Sequence, residues 1–317
     1  MQKQLQIASK VGLYKTQVRM LFHAHIKMKL PAACSEALFD DLYTILTEID
    51  ERYNSHREHS FIDLINKSAG TFVEVDEDTL FMLEMAKKVS GYFEGTYDIT
   101  LMPLIRLWGF YDAYQKNVPT RQAIENTLSL IDYRKIEIEG AKVRIQKGQE
   151  VTTGSFMKAY AVDKVIEKIK AEGITDALIN AGGSTIAVIN NSRHPHWRVN
   201  VPDPDNDGQN LFQVKLANAC FSTSAQAKNF ITINGIKYGH ILNGRTGYPS
   251  ANKQTGVITE SCFLGDIVST ALFTLDNEQF AEKLNLLAQQ FPVAGFLIDA
   301  NSNTTYCGGF EKNILPL

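Results

Sequence analysis

Apolar residues stand on alternate positions from Val18 to Leu30 (Val18, Met20, Phe22, Ala24, Ile26, Met28 and Leu30), which predicts one strand with a buried face. The spacing then changes to threes and fours. Leu38, Leu42, Ile45, Leu46, Ile49 and Tyr53 form a single helical stripe that Ser35 can cap and that ends near Asn54. Asp76 reads as the cap of a second helix through Leu80, Leu83, Val89 and Tyr92. Glu77 and Asp78 occupy its first turn, where the helix dipole favours negative charge, and Gly91 or Gly95 marks its end. KIEIEGAKVRIQ (135–146) predicts a hairpin turning at Gly140, and residues 158–173 an amphipathic helix stopped by Gly173. DALINAGGSTIAVIN predicts two short strands around a double glycine. WRVNV, FQVKLAN and NFITINGIKYG continue the strand pattern, and residues 266–275 and 277–289 return to helix. Strands and helices mix without regular alternation, so the expected class is α+β.

Composition narrows the functional classes. The chain has 317 residues, 44% of them hydrophobic, enough for one large core or two modest ones. A formal net charge of −3 with mixed signs along the chain gives no basic stripe for nucleic acid and no polybasic membrane patch. No window approaches a membrane span, and the first twenty residues contain no signal-peptide core. The chain as given therefore reads as cytoplasmic, with a periplasmic or membrane-associated location open if a leader was removed. Residues 1–17 are expected to be an N-terminal extension and 18–317 a single domain. Cys34, Cys220, Cys262 and Cys307 form no CxxC pair, which points to ordinary buried thiols. The histidine pairs His23/His25, His56/His59 and His194/His196 show no carboxylate or cysteine partner at metal-ligand spacing and read as solvated.

Four segments carry candidate chemistry. In GHILNGRTGYP (239–249), His240 can hold or release a proton near neutral pH and Arg245 offers a planar cation; a tight turn with a surface histidine explains the same residues. GDIVSTALF (265–273) reads as a helix start. Asp266 and Thr270 are four apart and share a face, offering a carboxylate and a hydroxyl as hard oxygen ligands to magnesium. A helix cap at Asp266 and a Thr270 hydroxyl bonded back to a carbonyl are the commoner situation for such a pair. TTGSFMKAYAVDK (152–164) sets Gly154 and Ser155 before a helix that carries Lys158, an arrangement suited to an anion. NAGGST (180–185) brings backbone close to whatever crosses it, as a hairpin turn also would.

The order of these pieces is more specific than any one of them. SFIDLIN (60–66), GTYDITLMPLIRLWGF (95–110), GSFMKAYAVD (154–163), NAGGS (180–184), STSA (222–225), GHILNGRTGYP and GDIVSTALF together resemble the FAD:protein FMN transferases, the ApbE family, over nearly all of the chain from Val18 onward. The resemblance implies an α+β fold with two lobes resembling duplicated T-folds and a ligand cleft between them. It implies magnesium-dependent transfer of FMN from FAD to a threonine or serine hydroxyl of an acceptor protein, releasing AMP. Splitting of FAD by water, or flavin binding without catalysis, are the alternatives. On the matching positions, Asp266 and Thr270 would hold Mg2+ with a backbone carbonyl at Gly154 or Ser155, and His240 would be the base. Asn66, Asp98, Lys158, Gly182, Gly183, Ser224 and Thr246 would lie along the FAD.

Some positions depart from the family pattern. Thr152 and Thr153 stand where the family has aspartate and leucine, Ser155 and Ala159 where it has glycine, and Ser184 where it has aspartate. Ala225 replaces the glycine of a TSG, Gly244 replaces a proline, and Phe22, His23 and Ala24 replace an MGT.

Overall fold

In the computed structural model, which describes residues 13–110, 117–226 and 230–316, the alternating run from Val18 to Leu30 is two strands rather than one. β1 (Tyr14–Leu21) and β2 (Ala24–Pro31) pair antiparallel with Leu21 opposite Ala24. Phe22 and His23 form the two-residue turn at φ 52° and 55°, the left-handed pair that such a hairpin requires. Residues directly opposite each other share a face, so the turn moves the even-numbered positions of β1 to the side opposite those of β2. Ile26, Met28 and Leu30 are fully buried, whereas Met20 is 51% exposed. β1 also begins before Val18, so residues 14–17 belong to the first hairpin; residues 1–12 of the expected extension lie outside the described residues.

After the hairpin come α1 (Glu36–Tyr53), α2 (Phe61–Lys67), β3 (Val73–Glu74), α3 (Glu77–Tyr92), α4 (Met102–Trp108) and α5 (Arg121–Leu128). β4 (Glu137–Glu139), β5 (Lys142–Arg144), α6 (Met157–Ala171), β6 (Ala177–Ala181) and β7 (Thr185–Ile189) follow. The remainder is β8 (Trp197–Pro202), β9 (Asn210–Leu216), β10 (Cys220–Ala225), β11 (Phe230–Ile233), β12 (Ile236–Gly239), β13 (Gln254–Thr259), α7 (Cys262–Phe273), α8 (Asn277–Ala288), β14 (Ala294–Ile298), β15 (Thr304–Cys307) and β16 (Ile314–Leu315). Ser35 and Asp76 cap α1 and α3 as expected, accepting from the amides of Leu38 and Thr79. The helix expected to start at Gly265 begins earlier, because Ser261 caps it through the Leu264 amide; Asp266 therefore lies inside α7 and is not its cap.

Eight strands form one antiparallel sheet in the order β1-β2-β6-β7-β10-β13-β14-β15. Each half has the same chain order of two strands, helices, and two strands: β1, β2, α1 to α6, β6, β7, then β10, β13, α7, α8, β14, β15. The β7–β10 pairing joins the halves, so the two expected lobes share one continuous sheet. The fold is α+β. The helices bury a large core against one face, including Phe39, Leu42, Leu46, Val162, Val165, Ile267 and Leu272. The opposite face of the second half is covered by the small β16-β9-β8 sheet through Trp197, Val201, Phe212 and Val214 packed on Phe221, Phe296 and Phe310. A third, smaller core gathers Leu104 and Trp108 of α4, Ile124 of α5 and Leu242.

One surface group differs from its expected setting. His194 is not merely solvated: its Nδ1 lies 3.0 Å from a carboxylate oxygen of Asp176 and 3.0 Å from the Tyr14 hydroxyl, partners distant in sequence. Among the described residues no helix is long and apolar enough to cross a membrane.

Candidate functional site

The seam between the two halves of the sheet is where the sequence motifs converge. On β10, Cys220, Ser222 and Ser224 alternate onto one face; on α7, Cys262, Asp266 and Thr270 recur every four residues. Two strand residues advance about 6.6 Å and four helix residues about 6 Å, so the two series keep step as the helix runs along the strand. The result is a ladder. At its first rung the Cys220 and Cys262 sulfurs stand 2.9 Å apart, and at its third Ser224 Oγ lies 3.2 Å from Thr270 Oγ1 and 3.0 Å from Ser269 Oγ. At the middle rung Ser222 Oγ is buried without a well-aligned partner, close to α7 where Gly265 leaves room for it. A Cβ at Gly265 would come within 2.7 Å of that oxygen.

The middle rung holds the Asp266 carboxylate. Thr185 Oγ1, from the first residue of β7, lies 3.0 and 2.8 Å from its two oxygens. Burial pushes its pKa from 3.8 up to about 6; nearby Lys158 and the hydroxyls of Ser222 and Thr185 hold it down, and Asp163 adds to the rise. Lys158, on α6, is half-buried; desolvation lowers its pKa while Asp266 opposes the shift. Its ammonium donates to the Ala181 carbonyl at 3.2 Å and to Ser184 Oγ, bracing the Gly182–Gly183 turn (φ 71° and 80°) that joins β6 to β7. The Gly182 amide donates to the His25 carbonyl and the Gly183 amide to Asn180 Oδ1. Lys158, Gly182, Gly183, Ser224, Asp266 and Thr270 thus lie in one neighbourhood.

α6 also fixes α7. Asp163 accepts from the amides of Cys262 at 2.8 Å and Phe263 at 2.9 Å and from Ser261 Oγ at 2.7 Å, satisfying donors at the helix start. The carboxylate that holds the helix and the carboxylate the helix presents are therefore separate residues.

The GHILNGRTGYP segment is a docked turn. Asn243 Oδ1 accepts from the Arg245 and Thr246 amides, and the Gly247 amide returns to the Asn243 carbonyl at 2.8 Å. Trp108 from the PLIRLWGF segment donates its Nε1–H to the Gly247 carbonyl at 2.8 Å and packs on Tyr238 and Tyr248. At the loop's other end Asn243 Nδ2 reaches the Thr274 carbonyl and Ser250 Oγ the Phe273 carbonyl, both at the C-terminal end of α7. His240 follows β12 and is half-buried. The preceding Gly239 packs so closely on Gln226 that an added Cβ would lie 2.6 Å from Gln226 Cγ, which sets His240 near the end of β10.

The other expected site residues have different surroundings. Asn66 exchanges two hydrogen bonds with the Val151 backbone, at 2.9 and 2.7 Å, and so tethers the segment leading to Gly154. Asp98 is buried; its oxygens accept from the Thr100 amide and hydroxyl and from the Tyr133 amide. Gly154 is exposed before α6, and Ser155 Oγ lies 2.9 Å from the Tyr97 hydroxyl. Burial raises that phenol's pKa, the Ser155 hydroxyl opposes the rise, and the Asp98 and Asp266 charges add to it. Thr246 is exposed and borders an open hollow of about 400 Å³ with Arg121, Ile124, Arg245 and Tyr248. Thr185, Ser222, Ser269, Tyr97 and Asp163 carried no assignment from sequence. Each lay within a quoted segment (Thr185 in NAGGST, Ser222 in STSA, Ser269 in GDIVSTALF, Tyr97 in GTYDITLMPLIRLWGF, Asp163 in GSFMKAYAVD), but only contacts between elements bring them to the site.

Chemically, a buried carboxylate among the hydroxyls of Thr185 and Ser222 suits a small hard cation. The buried Ser222 Oγ beside the carboxylate and the cost of ionising Asp266 without a bound cation agree with that use.

Residues 16–294 match the model of the ApbE family. A FAD:protein FMN transferase of Vibrio cholerae is 26% identical over 255 residues, covering 78% of this chain and 76% of that protein. One from Treponema pallidum is 26% identical over 297 residues, covering 86% and 79%. The crystal structure of the ApbE protein of Thermotoga maritima superposes with a TM-score of 0.86 at 21% identity, covering 95% of this chain and 99% of that one. The flavin transferase ApbE of Vibrio cholerae gives 0.82 at 21% identity, with the same coverage. Those structural likenesses speak for the fold, and the family match extends from β1 to the first residue of β14: the chain belongs to the ApbE family.

Proposed function

We propose that this protein is a divalent-metal-dependent transferase that moves FMN from FAD to a threonine or serine hydroxyl of an acceptor protein and releases AMP. The observation that carries this reading is the Asp266 carboxylate, buried at the seam with Thr185 on both oxygens and Thr270 one helical turn away. The names of the relatives supply the substrates; the chain's own residues supply the roles.

Asp266 and Thr270 would hold Mg2+, with a backbone carbonyl at Gly154 or Ser155 completing the protein's share. Magnesium, when bound there, neutralises charge on the pyrophosphate of FAD and on the departing phosphate. The rest falls to the protein. Lys158 and the Gly182–Gly183 turn give a cation and close backbone where an anionic ligand can lie. His240, held at the end of β10, takes the proton as the acceptor oxygen bonds to the phosphorus of the FMN half. The phosphorus–oxygen bond to the AMP half breaks, and AMP leaves with its electron pair. Positioning and charge stabilisation account for most of the acceleration in such a transfer, and the base for roughly 10²–10⁴ of it.

Purified protein incubated with FAD, Mg2+ and an acceptor protein should give a fluorescent FMN–protein adduct together with AMP. Absence of both products would defeat the proposal. FMN and AMP formed at the same rate without acceptor would assign hydrolysis instead.

A further inference from the structure

We propose that Cys220 and Cys262 form a modification site, a buried dithiol that hydrogen peroxide converts to a disulfide, locking α7 onto β10. The two sulfurs are 2.9 Å apart although the residues are 42 positions apart in sequence, and both side chains are buried. They occupy the first rung of the ladder whose next rungs carry Asp266 and Thr270. A bond there would fix the register of the helix against the strand without adding any group to the middle rung.

A metal ion held between these thiols fits less well, although Asp163 stands within 4.8 Å of both. Two thiolates on a tetrahedral zinc, each about 2.3 Å from the metal, keep their sulfurs about 3.8 Å apart. Here they are closer than that, and both Asp163 oxygens already accept from the start of α7.

The chemistry balances as follows. Cys220, at 4% exposure, is the more accessible of the two; Cys262 is fully enclosed, and burial holds its thiol well above its usual range. The Cys220 thiolate therefore attacks the peroxide oxygen first, hydroxide leaves, and a sulfenic acid forms. The Cys262 sulfur then attacks the Cys220 sulfur, and the sulfenic oxygen departs as water with the Cys262 proton. Overall, two thiols and one peroxide give one disulfide and two waters, with two electrons passing from sulfur to oxygen.

The test uses the full-length protein, reduced and then exposed to hydrogen peroxide, with the remaining thiols alkylated in denaturant before peptide mass analysis. The expected product is a cross-linked peptide pair containing Cys220 and Cys262, lighter by two hydrogens and separated by dithiothreitol. The oxidised protein should melt several degrees above the reduced form, and the difference should vanish on reduction. In Cys262→Ser, Cys220 should instead stop at a sulfenic or sulfinic acid. Full alkylation of both cysteines after peroxide, a Cys220 sulfinic acid in the unaltered chain, or an oxidised form no more stable than the reduced one would each overturn the proposal. So would one equivalent of Zn2+ retained by the reduced protein and lost in Cys262→Ser.

Discussion

The amide of Gly244 donates to the Thr96 carbonyl at 2.8 Å, and a Cβ built on Gly244 would stand 2.4 Å from the Gly95 carbonyl oxygen. This contact docks the His240 loop against the segment after α3, at the position where the family pattern has proline. Gly244→Ala should destabilise the protein by about 1–3 kcal/mol through overpacking against backbone. Gly244→Pro should cost more, since it also removes the donor to Thr96. Thermal unfolding should rank wild type above Ala above Pro; a Pro variant as stable as wild type would show that the loop docks in another way.

Trp108 supports the same loop from the other side. Trp108→Phe removes one buried hydrogen bond to Gly247 and should cost on the order of 1 kcal/mol, whereas Trp108→Ala should cost roughly 3–5 kcal/mol. Hydrogen exchange should rise across residues 239–250 in both variants, and more in the second. Exchange that rises elsewhere and not there would remove Trp108 from this role.

The pH dependence follows from Asp266. Its folded-state pKa of about 6 lies above the ordinary 3.8, so the group adds stability below pH 4 that is lost as pH rises through 6. Ionised without a bound cation, it costs on the order of 3 kcal/mol. A cation held there offsets that cost and prefers the ionised form. The thermal stabilisation given by Mg2+ should therefore be full above pH 7 and fade as pH falls below about 6, and Asp266→Asn should abolish it. A Mg2+ shift unchanged at pH 5 would move the metal elsewhere.

Thr185→Val keeps the shape of β7 and removes the donor that meets both Asp266 oxygens. Leaving the carboxylate less satisfied should cost about 1–3 kcal/mol at neutral pH and raise its pKa further. The midpoint of the Mg2+-induced thermal shift should then move to higher pH. A midpoint that stays in place would mean that Thr185 is no more than packing.

His240→Ala should slow FMN transfer by roughly 10²–10⁴-fold while FAD binding, read by equilibrium titration, stays within a few-fold of wild type. Loss of binding in proportion to rate would make His240 a ligand contact and not the base.

Much of the local structure is legible in the sequence alone. Periodicity placed α1, α3, α6 and the strands around the double glycine, because apolar spacing and caps such as Ser35 and Asp76 act within a few residues. It also marked Lys158, Asp266 and Thr270, whose spacing lies within single helices. It misread the run from Val18 to Leu30, since Phe22 and His23 adopt the left-handed turn without glycine or asparagine to announce it. It placed the start of α7 too late because the early turns are apolar, and it left α2, α4 and α5 unmarked because helices of seven or eight residues give little periodicity. The tertiary structure decided the rest. Thr185 meets Asp266 across 81 positions and Cys220 meets Cys262 across 42, because pairing β7 with β10 brings the two halves together and a four-residue helical step nearly equals a two-residue strand step.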